Sequence, residues 1–151
     1  MAKQPKSKYK SGFVSLLGRP NAGKSTLLNA FVGEKIAIVS DKPQTTRTTV
    51  QGVISEPRGQ VVFLDTPGIH RTDTQLNKRM MDAVRSALDA RDLLLYVIDA
   101  ARPELDQQRQ ALEFLQRTET PVVLVLSKVD RIADKRELLP LIEKSMELYP
   151  F

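Results

Sequence analysis

From Gly12 onward the chain alternates short apolar runs with segments whose apolar residues recur at helical spacing. Phe13-Val14-Ser15-Leu16-Leu17 reads as a strand, and Thr26 to Val32 follows as a helix that can begin near Lys24. Thr49 to Ser55 sets Val50 and Val53-Ile54 among polar residues, Glu56-Pro57-Arg58-Gly59 reads as a turn, and Gln60 to Leu64 is a buried run. Together they predict a hairpin. Leu76, Met80, Val84 and Leu88 recur every fourth residue, which predicts a helix over Gln75 to Ala90 with that stripe in the core. Leu93 to Ile98 and Val122 to Leu126 read as buried strands on either side of a helix from Pro103 to Arg117. A last helix is expected over Lys135 to Leu148 with Asp134 as N-cap, and Pro140 fits it only if the helix starts late. Strands alternating with helices predict an α/β domain, a mainly parallel sheet with helices on both faces.

Composition narrows the class. With 151 residues, 41% of them apolar, the chain can bury the core of one domain. It has no cysteine, which excludes disulfides and thiolate metal sites. The longest apolar stretches are too short to cross a bilayer and no secretory segment follows Met1, so a cytoplasmic location is the expectation. The net charge is +5, and Lys3, Lys6, Lys8 and Lys10 account for four of it, leaving +1 for the remainder. Residues 1–11 are therefore expected to be a basic flexible tail and residues 12–151 the folded domain. The tail's composition suits a solubilising leader better than an RNA- or ribosome-contacting arm.

Three motifs carry the chemistry. Gly18-Arg19-Pro20-Asn21-Ala22-Gly23-Lys24-Ser25 follows the first strand and opens the first helix, the context of a phosphate-binding loop. Its glycines let the backbone curl so that N–H groups from Asn21 to Thr26 point inward, and the helix adds its positive end. Lys24 can then reach β- and γ-phosphates and the Ser25 hydroxyl can ligate Mg²⁺. This loop makes the expected fold a three-layer P-loop sandwich. Asp65-Thr66-Pro67-Gly68 ends the Gln60 to Leu64 run, where a carboxylate can hold Mg²⁺ through water and a glycine N–H can meet a γ-phosphate. Ser127-Lys128-Val129-Asp130 follows the Val122 to Leu126 run. A carboxylate at Asp130 can accept from guanine N1–H and the exocyclic amine, which adenine cannot offer. Either of the two later motifs alone would be an ordinary turn. His70 as a general base and Arg47 as an arginine finger are the weaker readings of those residues, and Asp99 reads as the cap of the turn after its strand.

With Lys42-Pro43-Gln44-Thr45-Thr46-Arg47 and Asp65-Thr66-Pro67-Gly68-Ile69-His70, the three motifs resemble the GTP-binding domain of the Era family of bacterial ribosome-assembly GTPases, from about Gly12 to Phe151. The resemblance implies a slow, Mg²⁺-dependent GTPase that binds GTP and GDP and acts as a switch in assembly of the small ribosomal subunit, with 16S rRNA as partner. A weak peripheral association with the inner membrane belongs to the same expectation. By position, Asn21, Ala22, Gly23, Lys24, Ser25 and Thr26 would hold the phosphates, and Ser25 and Thr46 would ligate Mg²⁺, with Asp65 acting through water. Lys24, Thr46 and Gly68 would serve the reaction, Asp65 and Gly68 would sense the γ-phosphate, and Ser127, Lys128 and Asp130 would bind the base. Thr45 is the second choice for the switch threonine.

The sequence departs from the family in two ways, at Ser127 and in the elements missing after Asp130, and Ile69 sets it apart from GTPases that carry glutamine there. Ser127 stands where the family carries Asn, which implies weaker guanine binding. Ile69 stands where other GTPases orient water with glutamine, which implies help from K⁺ near Asn21. The guanine O6 loop and the last strand and helix of the six-stranded fold are not found, and nothing resembles the family's RNA-binding KH domain. The sequence thus reads as a fragment or a truncated paralogue. The alternatives are a nucleotide- or partner-binding module without useful turnover, an ATP-using P-loop protein, and a tRNA-modification GTPase, the last a poorer match at Pro43-Gln44-Thr45-Thr46.

Overall fold

In the computed structural model, residues 9–33, 50–64 and 88–151 are described. Their strands are β1 (Lys10–Leu17), β2 (Val50–Glu56), β3 (Gly59–Leu64), β4 (Leu93–Asp99) and β5 (Val122–Ser127). The helices are α1 (Lys24–Val32), α2 (Leu105–Leu115) and α3 (Leu138–Leu148). The sheet order is β2-β3-β1-β4-β5. β1 runs parallel to β3 and β4, β4 runs parallel to β5, and only β2 is antiparallel, as the other arm of the hairpin with β3.

Alternation along the central strands builds the three layers. In β4, Leu94, Tyr96 and Ile98 face one side and pack with Leu17, Leu112, Leu115 and Tyr149, burying α2 and the end of α3. Val97 faces the other side, where Val14, Leu16, Leu28 and Phe63 bury α1. Tyr96, Val97 and Ile98 are at most 2% exposed, so the strand that delivers Asp99 to the site is the most deeply fixed part of the sheet. A polar tie reinforces it: the buried Ser15 hydroxyl donates to Leu64 O at 2.9 Å and accepts from Arg91 Nε at 3.0 Å, joining β1 to the end of β3 and the start of β4.

Several expectations shift by a residue or two. β1 begins at Lys10, with Lys10 and Ser11 paired to Gly59 and Gln60, so the last two residues of the expected tail belong to the sheet. The strand is extended because the hairpin turn brings Arg58 O within 3.2 Å of the Lys10 N–H. The run Val122 to Leu126 reads as a buried strand and, in a five-stranded sheet, as its edge; β5 does form an edge among the described residues, and Val123 is 45% exposed. In β3 only Phe63 and Leu64 are buried. The last helix does start late. Asp134 caps a separate 3-10 turn, Lys135–Glu137, by accepting from Arg136 N–H at 3.0 Å, and the α-helix begins at Leu138. Pro140 thereby falls in the first turn, where its missing N–H costs nothing. Of the helix expected over Gln75 to Ala90, only residues 88–90 are described, with Leu88 fully buried in the core; Leu76, Met80 and Val84 lie outside the described residues. Among the described residues no helix is long and apolar enough to cross a membrane.

Candidate nucleotide-binding site

The site begins where β1 ends. The turn from β1 into α1 requires three residues in the left-handed region: Gly18 at φ 140°, Asn21 at φ 62° and Gly23 at φ 96°. At Gly18 the requirement is also spatial, because a Cβ there would stand 2.2 Å from Val97 O of β4. Only glycine lets the loop lie this close to the sheet. Gly23 is the N-cap of α1 and contributes no side-chain cap, and the helix's first turn carries no acidic residue. The N–H groups at that end are therefore available to an anion, and the helix dipole favours one.

Lys24 closes the loop from inside. Its Nζ donates to Gly18 O at 2.8 Å and to Arg19 O at 2.7 Å, which leaves one N–H for an incoming oxygen. Partial burial lowers the pKa of this ammonium, since desolvation penalises its charged form. An anionic ligand would reverse that penalty. Ser25 and Thr26 follow on the exposed end of α1, where the Ser25 hydroxyl is free to meet a hydrated cation beside a phosphate.

The second part of the site comes from the carboxyl end of β5, and it grips the loop. Ser127 and Asp99 are register partners at the ends of adjacent parallel strands, so both emerge at the level of the loop. The Ser127 hydroxyl lies between two carbonyls, donating to Ala22 O with Ile98 O at 3.1 Å on its other side. Lys128 turns back at φ 55° and donates from Nζ to Asn21 O at 2.7 Å and to Asp99 Oδ2 at 2.6 Å. Consecutive residues of the β5 turn thus hold consecutive carbonyls of the phosphate loop. Asp130 sits one residue further in the 3-10 turn Val129–Arg131, exposed, with its carboxylate available to a base edge. A cavity of about 220 Å³ lies on the outer side of the loop, with Arg19, Asn21, Asp99, Glu104, Gln108 and Lys128 in its wall, and Arg19 pairs with Glu104 there.

The structure brings Asn21, Ala22, Lys24, Ser127 and Lys128 into contact through the bonds above, with Gly23 and Ser25 beside Lys24, and leaves Thr26 and Asp130 exposed. Thr46, Asp65, Gly68, Ile69, His70 and Arg47 lie outside the described residues. Two contributions were missed. Asp99 does cap its turn, accepting from Ala101 N–H at 3.0 Å, but its other oxygen takes the Lys128 ammonium. Arg19 and Glu104 were not singled out at all. The signal for Asp99 was present: the apolar runs Leu93 to Ile98 and Val122 to Leu126 each end in a polar residue, Asp99 and Ser127, which stand side by side once the strands are parallel neighbours in register.

A parallel sheet that feeds a glycine-cradled lysine loop into a helix N-terminus, beside a second strand-end turn carrying an acidic residue, defines a P-loop nucleotide-binding domain. Residues 13–128 match the family model described as 50S ribosome-binding GTPase, and the chain belongs to that family. It is 48% identical over 143 residues to the GTPase Era of Geotalea uraniireducens (strain Rf4), covering 95% of this chain and 48% of that protein. It is 49% identical over 135 residues to the GTPase Era of Clostridioides difficile (strain 630), covering 89% and 46%. Among solved structures, Era in complex with MgGDPNP and nucleotides 1506–1542 of 16S ribosomal RNA superposes with a TM-score of 0.67 at 36% identity, over 94% of this chain and 48% of that one. A variant of Aquifex aeolicus Era bound to GDP and AlF4− gives 0.64 at 35% identity, over 93% and 48%. The chain spans about half the length of the curated relatives it matches.

Proposed function

We propose that the chain binds GTP and GDP, hydrolyses GTP slowly with Mg²⁺, and acts as a nucleotide switch in small-subunit assembly through 16S rRNA. The observation that carries this reading is the grip of Ser127 and Lys128 on the carbonyls of Ala22 and Asn21, which sets a base-reading turn and a phosphate cradle on one rigid face. The similarity to an Era bound to MgGDPNP and 16S rRNA supports the nucleotide, the cation and the partner.

In this reading the N–H groups from Asn21 to Thr26 hold the phosphates and Lys24 exchanges its loop carbonyls for phosphate oxygens. Lys128 lays its stem along the purine, and Asp130 accepts from guanine N1–H and the exocyclic amine. Ser25 and Thr46 would hold Mg²⁺, with Asp65 acting through water. When bound there, Mg²⁺ would supply neutralisation of phosphate charge. Gly68 and Asp65 sense the γ-phosphate. Ser127 spends its one hydroxyl proton on the loop, so the base loses the contact that a longer amide would give it, and guanine binding is weaker for that reason. Ile69 cannot orient water, and Asn21 would hold a K⁺ ion whose chemistry there would be added positive charge. Replacing K⁺ by Na⁺ then lowers turnover, and an unchanged rate removes the cation from the account. The location is cytoplasmic, with weak peripheral contact at the inner membrane.

The test is a titration with GDP and ADP in Mg²⁺ and K⁺, paired with multiple-turnover phosphate release from GTP. GDP preferred by about a hundredfold, or about 2.7 kcal/mol, with turnover on the order of 10⁻⁴ to 10⁻² per second, supports the reading. Equal binding of GDP and ADP defeats it, and GDP preference without turnover leaves a binding module.

A further inference from the structure

Asp99 is held at both oxygens. Oδ1 accepts from Ala101 N–H at 3.0 Å, which orients the carboxylate within its own turn, and Oδ2 meets Lys128 Nζ at 2.6 Å. The same ammonium reaches Asn21 O at 2.7 Å. The pair is largely shielded, with side chains 24% and 16% exposed, so its hydrogen bond competes with little water. The two residues joined through the ammonium, Asn21 and Lys128, are both non-glycine residues in the left-handed region, at φ 62° and φ 55°.

We propose that Asp99 is a positioning residue for base recognition. It anchors the Lys128 ammonium over the phosphate loop, so that the lysine stem stays extended as the platform against which the purine lies. Without the carboxylate the ammonium keeps one carbonyl partner, and the flexible side chain gains by turning its charge out to water. The platform then disperses while the phosphate cradle, built from Gly18, Gly23, Lys24 and the start of α1, remains. The ligand half of this proposal rests on the guanine-nucleotide reading above; the anchoring half does not.

The experiment uses the full chain and two readouts. Urea unfolding without nucleotide is measured for Asp99→Ala, Lys128→Met and the double variant, with Asp99→Asn as the milder substitution that keeps the turn's acceptor. Anchoring requires that the double variant lose no more stability than the worse single one; additive losses overturn it. Affinities for GDP and for inorganic pyrophosphate are then compared. Asp99→Ala should weaken GDP about tenfold, equivalent to about 1.4 kcal/mol, Asp99→Asn by less, and pyrophosphate by under about twofold. In the Lys128→Met background the Asp99 substitution should change GDP affinity by under about twofold. Parallel loss of GDP and pyrophosphate, or the same GDP loss with Lys128 already removed, overturns positioning through Lys128. Failure of the unsubstituted chain to prefer GDP over ADP would instead sink the guanine reading, and the urea cycle would still decide whether Asp99 holds Lys128.

Discussion

Substituting Gly18 by alanine puts a methyl group where β4 already is. The new Cβ would stand 2.2 Å from Val97 O and 3.2 Å from Val97 C, on a backbone at φ 140°. Carbon-to-oxygen contacts close at about 3.3 Å, so the loop must retreat by about 1 Å. Val97 is fully buried and cannot yield. The backbone strain costs about 1–3 kcal/mol and the forced shift about as much again, or about 2–6 kcal/mol against a usual total of about 5–15 kcal/mol. Gly33 is the control. It caps α1 at φ 71° with nothing within 4 Å of its would-be Cβ, so alanine there costs only the left-handed conformation, about 1–2 kcal/mol. Urea unfolding of both variants, with GDP titration of each, separates close approach from conformation. We expect Gly18→Ala to be the more destabilised and to bind GDP at least about tenfold more weakly, and Gly33→Ala to keep its affinity. Equal losses of stability, or unchanged GDP affinity in Gly18→Ala, would refute the claim that packing against β4 shapes the phosphate cradle.

Lys24→Ala is expected to abolish multiple-turnover phosphate release from GTP while leaving the unfolding midpoint little changed, and residual turnover near the parent rate would remove Lys24 from the reaction. Ser127→Asn should strengthen GDP binding several-fold in equilibrium titration. Ser127→Ala should lower stability by about 1 kcal/mol through the lost tie to Ala22, and an unaltered midpoint would mean that the tie carries no energy. Acid unfolding reports on Asp99. Partial desolvation pushes its carboxyl up, but the Lys128 hydrogen bond and charge and the Ala101 and Arg102 N–H groups outweigh this and hold it below its ordinary value. The lowered folded pKa means that the carboxylate stabilises the fold above about pH 4, and that this contribution fades as pH falls through the folded value. Ellipticity followed down in pH should show the unsubstituted chain's advantage over Asp99→Asn shrinking over that range; a constant gap would contradict the assignment.

The strands and the phosphate loop were legible because each rests on local rules. Short apolar runs, a turn at Pro57-Arg58 and glycines where φ must be positive leave few alternatives for Phe13 to Ser25 and for the β2–β3 hairpin. Less was legible where neighbours decide. An all-apolar run such as Val122 to Leu126 looks the same in the middle of a sheet as at its edge, since burial depends on what lies beside it. Lys10 and Ser11 looked like tail because their own side chains are polar, while their pairing is supplied by Gly59 and Gln60 from another part of the chain. The Asn21 to Ser127 side of the site could be named by motif, but the direction of each bond could not. That Ser127 would turn to the loop, and Lys128 to Asp99 as well as to the loop, follows from strand register rather than from residue type.

The grip on the loop joins residues 105 and 107 positions apart, Ser127 to Ala22 and Lys128 to Asn21. During synthesis the loop therefore leaves the ribosome long before its clasp. At about 5–20 residues per second, about 5–20 seconds separate the two, an interval in which β1 and α1 can form but the carbonyls of Asn21 and Ala22 have no side chain to hold them. The loop is then clasped in a single late event, when the end of β5 docks beside β4. On the proposed reading, a nascent chain short of Lys128 would carry the phosphate-loop residues without the turn that reads the base.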